Sequence, residues 1–177
     1  MSLIYVTGNS GVGKSSVRKE LQKRGYEAHD TDEDGMTSWR HKTTGELANR
    51  PTDERDRVNA WYEHHDWVMS RERVEELSKR ANDKIIFLCG ATSNTDEVLD
   101  LFGKVIYLAV DGDTLRKRLT TRTTNDFGKA PDELTNILGW HDWLEEQYKE
   151  RGAIIVDATR PLSEVVDDIV GSLGHGA

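Results

Sequence analysis

The chain has 177 residues, a length typical of one domain, 1–177, that buries a core without disulfides. A formal net charge of −8 argues against a nucleic-acid partner, and the single cysteine, Cys89, excludes an internal disulfide and fits a reducing compartment. No apolar run approaches the ~20 residues of a membrane span or resembles a leader, so we expect a cytoplasmic monomer or weak dimer with no membrane partner.

Short apolar runs alternate with longer amphipathic stretches along the chain. The runs predict buried parallel strands at 3–6, 26–29, 85–88, 105–110 and 154–156. Apolar residues at helical spacing predict helices at 13–24, 53–80, 113–122 and 132–150, and Pro161 opens a last helix. Strands that alternate with helices predict a parallel sheet covered by helices on both faces.

A glycine-rich segment joins the first predicted strand to the first predicted helix. It fits the pattern Gly-x-x-x-x-Gly-Lys-Ser, and its residues are Gly8, Asn9, Ser10, Gly11, Val12, Gly13, Lys14 and Ser15. Glycines allow the backbone N–H groups and the helix N-terminus to surround phosphate oxygens. We expect Lys14 to reach the β- and γ-phosphates, Ser15 to offer its hydroxyl to Mg²⁺, and Ser16 to complete the loop. The segment therefore predicts binding of ATP with Mg²⁺.

Two carboxylates, Asp30 and Asp32, follow the second predicted strand. Because side chains at i and i+2 of a strand point the same way, one carboxylate can support Mg²⁺ while the other orients an attacking hydroxyl. We assign Asp30 to the metal and Asp32 to the acceptor, although the sequence leaves their order open. An acidic turn is the structural alternative. The sequence has no guanine-reading Asn-Lys-x-Asp segment, and the third predicted strand has no acid at its end.

Residues 35–80 lie between the second and third predicted strands and are expected to form a helical, acceptor-binding insertion. Aromatic and basic side chains there suit a ring or an anion, and core packing is the alternative for the aromatic residues. Trp67 and Arg71 share one face of the helix predicted over 53–80. Including polar residues after the third strand, the candidate acceptor contacts are Trp39, Arg40, Trp67, Arg71, Thr92, Ser93 and Asn94.

Arginines and a polar segment follow the fourth predicted strand. Arg118 and Arg122 lie near the apolar stripe of their helix, so they lean toward the protein body, where a guanidinium can stack on adenine or clamp a phosphoryl group. A solvated basic helix face is the alternative. The segment 123–132 ends in glycine and proline and is typical of a mobile lid that excludes water.

Together these features resemble the small phosphate-loop kinases related to shikimate kinase, gluconate kinase and adenylate kinase. The resemblance rests on the phosphate loop, the acid pair, the basic helix and lid over 116–129, and residues 156–161. It implies a three-layer α/β/α P-loop NTPase fold with a five-stranded parallel sheet. It also implies Asp30 and Asp32 at the metal and the substrate hydroxyl, Arg118 near adenine and Arg122 near the phosphates. Arg160 and Pro161 would belong to a wall of the adenine site.

The sequence therefore predicts ATP- and Mg²⁺-dependent phosphoryl transfer to a small-molecule or nucleoside/nucleotide acceptor. In this hypothesis Asp32 orients the acceptor, while Lys14 and Arg122 stabilise the transferring phosphoryl group. The alternative is a nucleotide-dependent switch or binding module without small-molecule kinase activity. A kinase acting on nucleic-acid ends is a third hypothesis, which the acidic net charge disfavours. The sequence does not name the acceptor.

Overall fold

Five apolar strands form one parallel sheet in the computed structural model of the chain, which describes residues 2–123 and 125–174. The strands within these described residues are β1 (Leu3–Thr7), β2 (Glu27–Asp30), β3 (Thr37–His41), β4 (Leu47–Ala48), β5 (His65–Met69), β6 (Ile86–Cys89), β7 (Lys104–Ala109) and β8 (Ile154–Asp157). The main sheet has the order β2-β6-β1-β7-β8, and each neighbouring pair is parallel. All five strands predicted for this sheet are therefore confirmed.

Helices cover both faces of this sheet. They are α1 (Lys14–Lys23), α2 (Asn59–Tyr62), α3 (Arg71–Arg80), α4 (Gly112–Thr121), α5 (Pro131–Gly139), α6 (His141–Glu150) and α7 (Leu162–Gly171). Alternate residues of β1 point to opposite faces, so Ile4 and Val6 join one buried cluster while Leu3 and Tyr5 join the other. The three-layer α/β/α P-loop NTPase fold is confirmed. No helix in the described ranges is long and apolar enough to span a bilayer.

The insertion between β2 and β6 is a mixed unit, whereas the sequence predicted a helical one. The helix predicted over 53–80 was wrong, because that stretch contains α2, then β5, then α3. Strand β5 pairs antiparallel with β3, which also pairs with β4. This pairing joins residues distant in sequence and overrides local helical spacing. Ser70 then accepts a hydrogen bond from the backbone N–H of Arg73 and caps a new helix.

The helix predicted over 132–150 is also divided. Helix α5 ends at Gly139, and α6 begins at His141. Trp140 stands between them and is exposed, so the apolar pattern runs through both helices although their backbones are separate. The main sheet brings the carboxyl ends of its parallel strands to one edge, and this edge carries the candidate site.

Candidate active site

The glycine-rich segment forms a loop between β1 and α1, as its sequence predicts. Gly8, Gly11 and Gly13 have φ values of +142°, +91° and +112°, which residues with a side chain rarely adopt. A Cβ atom on Gly8 would also lie 2.7 Å from the backbone oxygen of Leu108. The loop therefore requires glycine for its conformation and for its close approach to β7.

Lys14 lies over this loop as the first residue of α1. Its Nζ donates hydrogen bonds to the backbone oxygens of Gly8 and Asn9 at 2.8 and 2.9 Å. The pKa of Lys14 is lowered to about 8, chiefly by burial; the charges of Asp32 and Asp30 oppose this shift, and the charge of Arg122 adds to it. The charges of Asp32 and Arg122 thus both act on the lysine, which places the three groups around one site.

Asn9 and Arg118 fix the loop to the neighbouring elements. The Asn9 side chain donates to the backbone oxygen of Ile137 on α5 at 2.8 Å and accepts from the N–H of Ser10 at 2.8 Å. Arg118 on α4 donates to the backbone oxygens of Val12 at 2.8 Å and Ala158 at 2.9 Å. The guanidinium therefore ties the loop to the segment after β8, which is the segment that the sequence assigns to the adenine wall.

The remaining predicted nucleotide contacts differ in their surroundings. Arg160 pairs with Asp168 along α7, and exposed Pro161 precedes that helix. Ser15 and Ser16 are exposed in the first turn of α1. The structure thus brings Arg118 to the loop, whereas Arg160, which precedes α7, pairs with an acid of that helix.

Arg122 stands at the end of α4 beside the loop. Its Nη2 atom donates to the Ser10 hydroxyl at 3.1 Å and to the backbone oxygen of Phe127. Its buried Nε has no hydrogen-bond partner among the described residues, and burial lowers the pKa of the guanidinium. Arg122 therefore connects the phosphate loop to the segment predicted as a lid. Thr124 of that segment lies outside the described residues.

The two predicted acids have different environments. Asp30 is buried, accepts from the backbone N–H groups of Asp32 and Glu33 at 3.0 and 3.3 Å, and lies 3.9 Å from Arg18. Its burial raises its pKa. Asp32 is exposed, and its Oδ1 accepts hydrogen bonds from Thr31, Thr37 and Trp67. Within the described residues no hydrogen bond uses its Oδ2, which leaves one oriented carboxylate oxygen for a ligand.

Aromatic rings of the insertion lie next to Asp32, and we call Trp39, Trp61, Tyr62 and Trp67 the aromatic wall. The Trp39 ring centroid is 4.9 Å from that of Trp61, 5.2 Å from that of Trp67 and 5.8 Å from that of Tyr62. Each ring is partly exposed. The Trp67 indole N–H donates to Asp32 at 3.1 Å, so the wall directly adjoins the predicted acceptor acid.

The other predicted acceptor contacts have partners elsewhere. Arg40 lies on the opposite face of β3 from Trp39 and donates to the backbone oxygen of Gly45. Arg71 pairs with Asp100 and Glu75. The polar residues after β6 brace the fold, because the Ser93 N–H and the Asn94 side chain bond to the β5 backbone, and Thr92 lies by Thr95.

A network that sequence reasoning missed joins the insertion to the lid, and we call it the latch: Arg50, Arg57, Tyr62, Asp126 and Glu133. Arg50 and Arg57 each lie 2.8 Å from Asp126. Buried Glu133 accepts hydrogen bonds from the Tyr62 hydroxyl and, at 2.7 Å, from the Gly128 N–H. One sequence signal was available, because Glu133 lies four residues before Ile137 on the buried stripe of α5.

The described residues contain no cluster of three or more His, Cys, Asp or Glu that could hold a metal ion by itself. Mg²⁺ bound together with nucleotide phosphates commonly takes only one or two protein ligands and several waters. The exposed Ser15 hydroxyl and the carboxylates of Asp30 and Asp32 match that donor set.

A family model described as "AAA domain" matches residues 4–139. A comparison with curated protein sequences found no match. Shikimate kinase from Aquifex aeolicus is similar in structure, with a TM-score of 0.60, 19% identity and coverage of 97% of this chain and 95% of that one.

Two further kinases share the fold. A gluconokinase from Sinorhizobium meliloti 1021 has a TM-score of 0.57 and 19% identity, covering 97% of this chain and 91% of its own. A deoxyadenosine kinase from M. mycoides with bound dATP has a TM-score of 0.54 and 19% identity, covering 98% and 99%. The neighbours are P-loop kinases of the nucleotide-kinase-like group, as the sequence resemblance predicted, and at this identity they establish the fold alone.

Proposed function

The chain belongs to the AAA domain family, and we propose that this member transfers the γ-phosphoryl group of ATP to a hydroxyl of a small-molecule or nucleoside/nucleotide acceptor. The observation that carries the proposal is the convergence of Lys14, Arg122 and Asp32: Lys14 bonds Gly8 and Asn9 of the loop, Arg122 bonds Ser10 of the loop, and Asp32 follows β2 at the same edge of the main sheet. Phosphoryl transfer depends on positioning and on neutralising developing negative charge, and these groups supply both.

The nucleotide would bind at the loop between β1 and α1. Backbone N–H groups of 8–16 would surround the phosphates, with Lys14 and Arg122 placed against the transferring group. Arg118 would support the adenine side through its bonds to Val12 and Ala158. Arg160 and Pro161 would contribute to the adenine wall, mainly through their backbone.

Mg²⁺ would be held by Ser15 and Asp30 together with phosphate oxygens and waters, and it would supply charge neutralisation during transfer. Asp32 would accept a hydrogen bond from the attacking hydroxyl and orient it toward the phosphate. The Thr31 hydroxyl and the Trp67 indole N–H already donate to the Oδ1 atom of this carboxylate, so its orientation is set before the acceptor binds. Closure of the lid would exclude water as a competing acceptor.

The shared fold of gluconokinase, shikimate kinase and deoxyadenosine kinase supports this proposal by analogy. Their names indicate different acceptors, so the fold leaves the acceptor of this chain to be determined from its own insertion. Arg40 and Arg71 remain proposed acceptor contacts only if they leave their present partners, and Trp39 and Trp67 are the stronger candidates because they adjoin Asp32.

The test is ADP formation from Mg·ATP against a panel of nucleosides, nucleoside monophosphates, sugars, sugar acids and shikimate. We expect one acceptor class to stimulate ADP formation, and we expect Asp32→Asn to lower the stimulated rate by about 100-fold or more while ATP still binds. Lys14→Ala should weaken ATP binding itself. Asp83→Asn, at an exposed acid before β6, is the matched control.

Full phosphoryl transfer by both Asp32→Asn and Lys14→Ala would refute the assignment. Tight ATP binding without stimulation by any acceptor would instead favour a nucleotide-dependent switch. A copurifying protein released by ATP would then identify what the switch controls.

A further inference from the structure

We infer that the acceptor is an uncharged ring compound bearing a hydroxyl group, a class that includes sugars and nucleosides and excludes carboxylates and phosphate esters. This inference rests on the proposed function, because it names the acceptor class of the same site. The distribution of aromatic surface and of charge around Asp32 carries it.

The aromatic wall offers a surface for the face of a ring. Its rings are partly exposed, and they contact one another at centroid distances of 4.9 and 5.2 Å. Indole and phenol rings stack on planar bases and pack against the apolar faces of sugars. The Trp67 N–H is bonded to Asp32, so a ring lying on the wall would bring its hydroxyl to that carboxylate.

The arginines nearest the wall are already neutralised by carboxylates. Arg50 and Arg57 each lie 2.8 Å from Asp126, and Arg50 lies 3.5 Å from Glu133. These two arginines and two acids balance in charge. An anionic acceptor that paired with these two arginines would have to displace Asp126 and leave a carboxylate without its counter-charge, an arrangement that proteins avoid.

Arg57 retains one feature that suits a neutral ligand. It is buried, and its Nη1 has no hydrogen-bond partner among the described residues. The buried N–H can be satisfied by a neutral acceptor such as a water molecule without adding charge to the cluster. Two arginines of the insertion, Arg40 and Arg73, form no ion pair within the described residues. Arg40 lies on the far face of β3 from Trp39, and Arg73 on α3 donates to the backbone oxygen of Asp34.

The nucleotide end of the site shows the opposite arrangement. Lys14, Arg118 and Arg122 direct their hydrogen bonds to backbone oxygens and to one hydroxyl, and none forms an ion pair with a described carboxylate. These three cations, which have no ion-pair partner in the described part of the chain, thus lie together where the ATP phosphates would bind. The site is built to receive its anion at the loop and a neutral molecule at the wall.

The test compares acceptors in pairs that differ in charge: nucleosides with their 5′-monophosphates, and neutral sugars with gluconate and shikimate. ADP formation gives kcat/KM, and quenching of tryptophan fluorescence gives binding independently of turnover. We expect at least tenfold higher kcat/KM for the uncharged member of the productive pair. The two arms of the panel distinguish a nucleoside from a sugar.

Variants of the wall sharpen the test. Trp39→Leu should raise the acceptor KM at least tenfold and leave the ATP KM unchanged, whereas Trp143→Leu, at a residue that is 59% exposed on α6, should change neither. Trp67→Phe keeps a ring in place but removes the N–H that bonds Asp32, so it should lower kcat more than it raises KM. This conservative variant keeps the test valid if Trp39→Leu fails to fold.

The outcomes separate this inference from the proposed function. Preferred turnover of an anionic acceptor would overturn the inference while supporting kinase activity. Fluorescence quenching by an uncharged ring without phosphoryl transfer would support the inference and contradict the proposed function. If no acceptor of either charge altered ADP formation or fluorescence, the inference would be overturned.

Discussion

Replacement of Glu133 by glutamine tests whether the latch holds the lid against the insertion. The Glu133 side chain is fully buried and accepts from the Gly128 N–H at 2.7 Å and from the Tyr62 hydroxyl. Burial and the bond to Glu133 both raise the pKa of Tyr62, so the phenol stays protonated and donates. Glutamine keeps the shape and both contacts, with the phenol turned to accept from the amide, but removes the charge.

The expected loss follows from these two bonds. Hydrogen bonds to a charged group contribute about 1.5–3 kcal/mol each and neutral ones about 0.5–1.5 kcal/mol. Losing about 1 kcal/mol at each bond gives a decrease of about 2 kcal/mol in the free energy of unfolding. A neutral amide costs less to bury than a carboxylate, which reduces this loss, whereas removal of the charge that lies 3.5 Å from Arg50 increases it. For a chain of this length the melting temperature should fall by about 4–8 °C.

Thermal and urea unfolding of Glu133→Gln, Tyr62→Phe and the double variant measure the effect. A coupling free energy near 1 kcal/mol in this cycle would confirm that the two side chains stabilise each other. Glu150→Gln, at an exposed acid on α6, is the control. If Glu133→Gln and the control variant have the same melting temperature, the reasoning is refuted. In the active protein, the variant should also increase ATP hydrolysis relative to transfer, because a loosened lid admits water.

Two further predictions concern the nucleotide end. ATP phosphates should raise the pKa of Lys14 above its value of about 8 in the free protein, so binding takes up a proton at higher pH and the Kd should rise by up to about tenfold per pH unit above 8. Calorimetry in buffers of different ionisation enthalpy measures this uptake, and a Kd that stays flat from pH 8 to 9.5 would contradict it. Arg118→Met removes the bonds to Val12 and Ala158 and should raise the ATP KM about tenfold, whereas Arg116→Met, at an exposed position of the same helix, should not. Equal KM values for these two variants would remove Arg118 from the nucleotide site.

The main sheet could be predicted because its signal is local. Strands buried on both faces are continuous apolar runs, so the stretch 3–6 predicted β1 (Leu3–Thr7) and 85–88 predicted β6 (Ile86–Cys89) to within one residue at each end. The phosphate loop could be predicted equally well, because its glycines and lysine occur at fixed spacing between a strand and a helix. Both features depend on residues adjacent in sequence.

The insertion could not be predicted in this way, because its structure depends on pairing between distant residues. Trp67 belongs to β5 only because that strand pairs with β3, with Trp39 opposite Trp67. The prediction that Trp67 and Arg71 share one face of a continuous helix was therefore wrong. Arg71 begins a separate helix, where Asp100 and Glu75 bind its guanidinium. The latch was missed for the same reason, since Asp126 meets Arg50 and Arg57 only after folding.

The net charge of a chain does not by itself predict whether a local site binds an anion, because the distribution of the charges decides this. The chain carries −8 overall, yet it presents Lys14, Arg118 and Arg122 to one loop without a carboxylate bonded to any of them in the described ranges. Burial of Lys14 and Arg122 weakens screening by water, so an incoming phosphate interacts with them more strongly than with surface lysines. Acids elsewhere pair with other cations, as Asp126 does with Arg50 and Arg57. The excess of acidic residues is thus compatible with ATP binding at the loop where phosphoryl transfer is proposed.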